Sequence, residues 1–308
     1  MTASPAPRAC HACGATPRAL ARGVVTRRGF LGAVASVPAW SFAGGVHAQA
    51  APRVVAIGGA ITEIVYRIGG ERFLIATDTT STFPAAANAL PKVGYQRALS
   101  AEGILAMSPT MLLAAPEAGP PPAIAQLEGA GVKIVRASGD FTFESLLGNV
   151  DLVSRSLALA PVGKALDDKL RGEWKATRAA VRTGGTLPKV LFILSHAANN
   201  VQVAGDGTAA AAMIALAGGV NAMAGFKGYR PLSSEGVLAA QPDVILCTRE
   251  GIEALGGVDV LLTRPGLALT PAGKSKRVLY PDALLLLGFG PRLPQAVRDL
   301  AQGFGTLA

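Results

Sequence analysis

The side chains best suited to chemistry in this chain are a few tyrosines that have arginines close by. Tyr95 lies in a run flanked by cations, Lys92-Val93-Gly94-Tyr95-Gln96-Arg97. A phenol, whose ordinary pKa is about 10, becomes a metal ligand when it loses its proton, and a ferric ion with a guanidinium nearby stabilises the phenolate. The run therefore indicates Tyr95 as a ligand for ferric iron. The alternative is a tyrosine that packs on its loop with the hydroxyl in water.

A single histidine, His196, occurs beyond residue 50. It follows the apolar run 190–194, which is typical of a strand, and open α/β sheets bind ligands at the carboxyl ends of their strands. The alternative is a satisfied histidine at the edge of the core. One histidine argues against a zinc or manganese carrier, because those sites need several converging His and carboxylate ligands.

Common catalytic and nucleotide-binding patterns do not occur in the sequence. Ser195 and His196 are neighbours rather than a spaced nucleophile and base, and there is no Gly-x-Ser-x-Gly elbow. No Gly-x-Gly-x-x-Gly or Walker A sequence is present to hold a nucleotide. An exported α/β enzyme stays as an alternative from another functional class, without an assembled nucleophile and base.

One stretch of the sequence occurs twice. Residues 94–105 return one residue shorter as 228–238, and both copies carry Gly-Tyr, a nearby Arg and Leu-Ser-x-Glu-Gly. A unit repeated once predicts two similar lobes rather than a solenoid, which needs at least about three units. Ser100 and Ser233 suit helix N-caps, and capping alone explains an acid in the first turn but not the recurrence of the whole stretch. A matched glutamate on each lobe, Glu102 and Glu235, suits a two-fold symmetric partner.

The first fifty residues have the features of an export signal. The twin-arginine pattern 26–31 is followed by an apolar run to residue 46 and by Ala48-Gln49-Ala50, so we expect export by the twin-arginine pathway and cleavage after Ala50. The segment holds five of the 29 Lys and Arg and no acid, so the net charge falls from +9 to 24 − 20 = +4. Nucleic-acid binding thereby loses its main support. Cys247 is the only cysteine beyond the segment, which leaves no intramolecular disulfide.

Beyond residue 50, short β-branched runs alternate with helical patterns, which predicts mainly parallel sheets covered by helices. The predicted strands are residues 54–57, 73–76, 111–114, 132–135, 190–194, 244–247 and 278–280. We expect an α/β protein of two Rossmann-like lobes joined by a long interlobe helix. The predicted segments are the export signal (1–50), an N-terminal lobe (51–142), a helical segment (143–185) with a linker helix over 161–182, and a C-terminal lobe (186–308). The linker helix, about 33 Å long at 1.5 Å per residue, should keep lobe opening small.

Several of these stretches resemble the periplasmic haem-binding proteins of bacterial haem ABC importers. The resemblance covers nearly the whole chain from residue 54, and its specific part is the Val-Gly-Tyr-x-Arg element of Tyr95. The other matching stretches are residues 57–59 with 62–64, 90–97, 99–103, 194–196, 229–233, 269–274 and 288–290. Cobalamin and ferric-siderophore carriers share the remainder more loosely, and a carrier of either kind is the alternative within this class.

The resemblance implies roles for individual residues. Tyr95 would be the axial ligand of ferric haem, with Arg97 beside the phenolate or a propionate, while His196 would ligate a second iron in proteins that carry two haems. The propionate candidates are Arg97, Lys92 and Arg249, and the cleft candidates are Tyr229 and Arg230. Cargo would be one or two haems.

The resemblance also implies partners and a location. Glu102 and Glu235 would meet arginines on the two subunits of a permease homodimer that works with ATPase subunits. The protein would act in the periplasm, with an outer-membrane haem receptor system upstream, and would bind no nucleic acid.

Overall fold

The computed structural model describes residues 51–197 and 200–307. The predicted export segment, residues 1–50, and the side chain of His196 lie outside the described residues. The strands are β1 (Val54–Ile57), β2 (Leu74–Thr77), β3 (Met111–Ala114), β4 (Lys133–Arg136), β5 (Lys189–Ala197), β6 (Asn200–Ala204), β7 (Val220–Asn221), β8 (Tyr229–Pro231), β9 (Val244–Leu246) and β10 (Val278–Leu279). The helices are α1 (Gly59–Arg67), α2 (Ala101–Leu105), α3 (Pro121–Gly129), α4 (Phe143–Ser156), α5 (Ala160–Ala180), α6 (Ala209–Leu216), α7 (Ser234–Ala240), α8 (Arg249–Leu255), α9 (Val258–Leu262), α10 (Pro271–Lys274), α11 (Ala283–Leu287) and α12 (Leu293–Phe304).

The N-terminal lobe is built on a four-stranded sheet in the order β2-β1-β3-β4, and every pair in it is parallel. All four residues of β1 are buried, as expected of a central parallel strand with helices on both faces. Alternate residues join different cores. Val54 and Ala56 pack with residues of α1 and α4, whereas Val55 and Ile57 pack with residues of α2 and α3.

The C-terminal lobe has a mixed six-stranded sheet. Its order is β10-β9-β5-β6-β8, with β7 also paired to β5. The pairs β10–β9, β9–β5 and β5–β7 are parallel, but β6 is antiparallel to both β5 and β8. The predicted α/β fold class is confirmed, and the antiparallel extension through β6 and β8 is an addition to the expected pattern. It begins just after β5, the strand whose carboxyl end carries His196.

Helix α5 runs over Ala160–Ala180, where the sequence predicted a helix over 161–182. Pro161 lies in its first turn, where a missing N–H costs no intrahelical bond. Leu166 and Leu170 are buried along one side, and the ring of Trp174 stacks on Phe143 of α4 with centroids 4.7 Å apart. Of the helices in the described ranges, none has both the length and the apolar composition needed to cross a membrane.

The two lobes share one continuous apolar core, which runs from β1, α1 and α4 through α5 to α6 and α12. Polar contacts also join them. Arg292, just before α12, donates to Glu63 of α1 at 2.9 Å and lies over the ring of Phe83 at 3.8 Å. Glu63 is almost wholly buried, and burial raises the pKa of its carboxyl, while the charges of Arg292 and Arg67 oppose that rise. These contacts tie the lobes together at more than the connecting helix, which favours small relative motions.

Candidate functional site

Tyr95 lies on a loop that extends the N-terminal sheet past its edge strand β2. The backbone N–H of Thr77 donates to Pro91 and the N–H of Val93 donates back to Thr77, both at 2.9 Å. Two residues further along, Thr79 donates to the carbonyl of Gly94 at 2.9 Å. The chain leading to Tyr95 is therefore held like a short additional strand at the carboxyl end of β2.

The far side of the loop is also fixed. Ala98 donates to the carbonyl of Tyr95 at 2.8 Å, and Gly119 donates to the carbonyl of Gln96 at 2.9 Å. Gly94 has φ +101°, a conformation that side chains with a Cβ rarely adopt, so glycine suits the turn before the tyrosine. Tyr95 itself is 44% exposed. A tyrosine with an accessible side chain on a fixed backbone is well placed to serve as a ligand.

Arg97 lies two residues beyond Tyr95 and has only loose contacts. Its guanidinium is 3.9 Å from Glu117 Oε1, with the two side chains 61% and 39% exposed. Exposed pairs of this kind are weak, so the guanidinium is available to an anionic cargo. Gln96 Nε2 also donates to Glu117 Oε1, at 3.3 Å. An open depression of about 640 Å³ adjoins Arg97, with Glu117 and Arg136 among its lining residues.

Tyr229 and Arg230, the two cleft candidates, lie on strand β8 of the C-terminal lobe. Tyr229 is 38% exposed, yet burial raises the pKa of its phenol, while the positive charge of Arg97 opposes the rise. The effect of the Arg97 charge on Tyr229 indicates that Tyr229 lies near the Tyr95 loop, although it belongs to the other lobe. The guanidinium of Arg230 lies 4.4 Å from the ring centroid of Phe226, a cation–π geometry.

Arg249, an exposed residue that begins α8, lies just beyond the carboxyl end of β9. Its backbone N–H donates to Pro281 at 2.8 Å, which places it beside Tyr280, whose side chain is 47% exposed. His196 is the second-last residue of β5, the strand next to β9. Its side chain lies outside the described residues, so its ligand role stays a prediction.

Lys92, a predicted propionate partner, has its donors engaged elsewhere. Its ammonium donates to Thr77 Oγ1 at 2.9 Å, to the carbonyl of Ser81 at 2.8 Å and to that of Ala87 at 3.1 Å. An ammonium has three N–H groups, so none is left for a propionate in this arrangement. The geometry argues against the propionate role, because the lysine is used to hold its own lobe together.

The two predicted docking glutamates occupy equivalent places. Glu102 lies in the first turn of α2 and Glu235 in the first turn of α7, and both are exposed. The caps are alike, since Ser100 Oγ accepts from Gly103 at 3.3 Å and Ser233 Oγ accepts from Gly236 at 3.2 Å. A capping hydroxyl and an acid in the first turn both complement the N-terminus of a helix.

The sequence reading missed Glu117 and Tyr280 as residues of this region. Glu117 follows β3 by three residues and Tyr280 directly follows β10. Position just beyond a parallel strand is the signal that could have found both. The contacts that place them here are those of Arg97 with Glu117 and of Arg249 with Pro281, the residue after Tyr280. Both join residues that are well separated in the chain, so no local pattern reveals them.

Comparison with known proteins identifies relatives of this fold. A family model described as "Periplasmic binding protein" matches residues 54–284. The periplasmic heme-binding protein BhuT, solved in complex with two hemes, is 47% identical over 83% of this chain and 99% of that chain, with a TM-score of 0.79. The periplasmic heme-binding protein RhuT from Roseiflexus sp. RS-1, solved in apo form, is 41% identical over 82% and 98% of the two chains, with a TM-score of 0.80.

A further relative is named for a different ligand. The vitamin B12-binding protein of Vibrio vulnificus (strain CMCP6) is 24% identical to this chain, and the match covers 85% of this chain and 94% of that protein. The family model covers well over half of the chain, and both solved structures exceed 40% identity over most of it. The resemblance inferred from the sequence is thereby confirmed, and the chain belongs to the periplasmic binding protein family.

Proposed function

We propose that this protein is the periplasmic binding component of a haem ABC importer, which takes up haem between its two lobes and delivers it to a permease. The observation that carries the proposal is Tyr95, exposed on a backbone held from both sides and followed by the loosely paired Arg97. Two heme-binding proteins of 41% and 47% identity support the same cargo.

Tyr95 would bind the iron of ferric haem as a phenolate, a known protein ligand to haem iron. Arg97 follows closely enough to favour the charged form of the phenol, or to pair with a propionate once its weak contact with Glu117 is exchanged. Both roles use groups that are accessible before cargo arrives. A large displacement of the loop is not needed.

The C-terminal lobe would supply the opposite side of the site. Because burial raises the pKa of Tyr229, that phenol is a poorer source of phenolate than an unburied one and suits the role of a hydrogen-bond donor. Arg249, exposed at the start of α8, is the propionate candidate on this lobe. Arg230 is the other cleft candidate, and its stacking on Phe226 orders its side chain. His196, at the end of β5, would ligate a second iron if two haems are carried.

A second candidate cargo is cobalamin, which the match to the vitamin B12-binding protein favours. Cobalamin brings its own nitrogen ligand for the metal and has no need of a protein phenolate. The accessible tyrosine with its arginine therefore supports haem over cobalamin. A ferric siderophore, whose oxygens already surround the iron, is disfavoured on the same ground.

Delivery would use the two glutamates, Glu102 and Glu235, against arginines on a permease homodimer coupled to ATPase subunits. Their exposure at the start of matching helices on the two lobes supports this role. Export would follow the twin-arginine pathway with cleavage after Ala50, and an outer-membrane haem receptor system would supply the cargo. The sequence pattern of residues 1–50 supports the route.

The test is a hemin titration of residues 51–308, followed by absorption spectroscopy. We expect a Soret band that saturates, with the charge-transfer features of tyrosinate-ligated ferric iron, and no saturable binding of cyanocobalamin. If two haems bind, His196→Ala should saturate at one while it keeps the tyrosinate spectrum. Tight cyanocobalamin binding without hemin binding would replace haem by cobalamin as the cargo.

A further inference from the structure

Lys92 is joined to its lobe by its side chain and its backbone together. The ammonium holds three oxygens, from Thr77, Ser81 and Ala87, and the backbone of Lys92 forms a parallel bridge with Thr77. The lysine is exposed as a residue, but its charged end is partly desolvated. Burial lowers the pKa of the ammonium, and the negative charge of Asp78 opposes that effect.

Asp78 is the fully buried carboxylate behind this lysine. Its Oδ1 accepts from the backbone N–H of Gly58 at 2.9 Å and from Ser81 Oγ at 2.7 Å. Its Oδ2 accepts from the N–H of Thr80 at 3.0 Å and from Thr80 Oγ1 at 2.6 Å. Four donors on a buried carboxylate give a rigid anchor, since a buried charge is stable only when its oxygens are satisfied.

The group of hydrogen bonds around Asp78 is connected to the loop that carries Tyr95 in two ways. Thr79, the residue after Asp78, donates to the carbonyl of Gly94, which is the residue before Tyr95. Lys92 is three residues before Tyr95 and binds Ser81, which in turn donates to Asp78. The position of the Tyr95 backbone therefore depends on the same group of bonds from two directions.

We infer that Lys92, braced by Asp78, is a positioning residue for Tyr95 and affects haem only through that tyrosine. The inference rests on the proposed function, in which Tyr95 is the iron ligand, and it replaces the propionate role predicted for Lys92. Replacing a residue that orients a metal ligand without touching the metal typically weakens metal binding by about ten- to hundredfold.

The experiment compares Lys92→Met, which keeps an unbranched stem but removes the ammonium, with the unmodified protein. Two cargos are used: hemin, and ferric haem dimethyl ester, whose propionates carry no charge. We expect Lys92→Met to weaken both by about tenfold, the lower end for loss of a residue that orients a metal ligand, and to shift the tyrosinate charge-transfer band. In a Tyr95→Phe background, Lys92→Met should lower hemin affinity little further, because the effects of replacing residues that act through one another are not additive.

Three results would overturn the inference. They are weaker binding of hemin but not of the dimethyl ester, an unchanged charge-transfer band, and a full additional loss in the Tyr95→Phe background. The first and third are the behaviour of a propionate partner. Lys92→Arg, which restores charge and donors, should recover part of the affinity and the original band.

Two controls separate other causes. Lys133→Met removes an exposed lysine of the edge strand β4 and should leave both affinities and the spectrum unchanged. Thermal unfolding of Lys92→Met shows whether the variant is still folded, which distinguishes a local change at the Tyr95 loop from loss of the fold. The absorption spectrum is recorded only on folded protein. Failure of the proposed function gives a different result. In that case the unmodified protein does not bind hemin, or the Tyr95→Phe variant binds hemin as well as the unmodified protein does.

Discussion

The two copies of the repeated stretch, one in each lobe, have the same structure in their second halves. In each copy a serine caps a short helix and a glutamate is exposed in its first turn, Ser100 with Glu102 in α2 and Ser233 with Glu235 in α7. The capping distances, 3.3 and 3.2 Å, are nearly equal. The second half of the unit therefore presents the same chemistry twice.

The first halves differ. Tyr95 lies on an irregular loop, whereas Tyr229 begins strand β8 and pairs with Ala204 of β6. Arg97 is loosely paired at 3.9 Å, while Arg230 is stacked on an aromatic ring. The first copy thus holds its tyrosine and arginine on a braced loop, whereas the second places them in a strand, where both are also exposed.

This difference fits two separate functional requirements on the same repeated sequence, contact with a partner and binding of a metal. A partner made of two identical subunits favours two equivalent contacts, one on each lobe. A single metal atom favours one strong ligand in a defined place and gains nothing from a symmetric copy. We therefore expect the helical half of each copy to contact the partner and the tyrosine half of the first copy to bind the cargo.

The largest expected effect comes from removing the two phenols in turn. Tyr95→Phe deletes the proposed iron ligand and should weaken hemin binding by more than about a hundredfold, beyond the ten- to hundredfold range for residues that only orient a ligand. Tyr229→Phe is the matched control and should weaken hemin binding by less than about tenfold. Hemin affinity and the ferric absorption spectrum of both variants provide the measurement. If Tyr229→Phe abolished the tyrosinate spectrum instead, the assignment of the two copies would be reversed.

The next effect concerns the helical halves. Exposed ion pairs are worth less than about 1 kcal/mol each, so Glu102→Ala or Glu235→Ala alone should reduce stimulation of the transporter ATPase only partly. Reversal of both charges, Glu102→Arg with Glu235→Arg, sets like charges together at two points and should abolish stimulation. Hemin affinity of the double variant should match that of the unmodified protein. Loss of hemin binding would place the glutamates at the cargo site, and full stimulation would remove them from the interface.

Much of the fold followed from periodicity, because the buried parallel strands are continuous apolar runs. The residues of β1, β3 and β9 all lie in the predicted strands, and α5 begins one residue before its predicted start. The strands β6, β7 and β8 were not predicted, since they are short or polar and are defined by pairing with a distant partner. Tertiary pairing of this kind leaves little local signal.

The candidate site shows the same limit. The Tyr95 run was recognisable from residue types and spacing, and so were the two matching glutamates, each in the first turn of a helix that a serine caps. The engagement of Lys92 was not, because its three acceptors include two backbone carbonyls, from Ser81 and Ala87, that no residue type reveals. A lysine close to a ligand in sequence is a natural propionate candidate until its partners are known.

The smallest expected effect tests whether the helical halves are equivalent. Ser100→Ala and Ser233→Ala each remove one capping bond, and loss of an N-cap costs about 0.5–2 kcal/mol. The two variants should lower the free energy of unfolding by similar amounts, measured by urea denaturation. Ser156→Ala is the control, because its hydroxyl donates back to Leu152 within α4 at 2.8 Å and caps nothing, so it should cost less. Hemin affinity should stay within about twofold in all three, since an exposed cap away from the ligand changes little else. If Ser100→Ala weakened hemin binding while Ser233→Ala did not, the cargo-serving half of the first copy would extend into α2, and the division of the repeat would have to move.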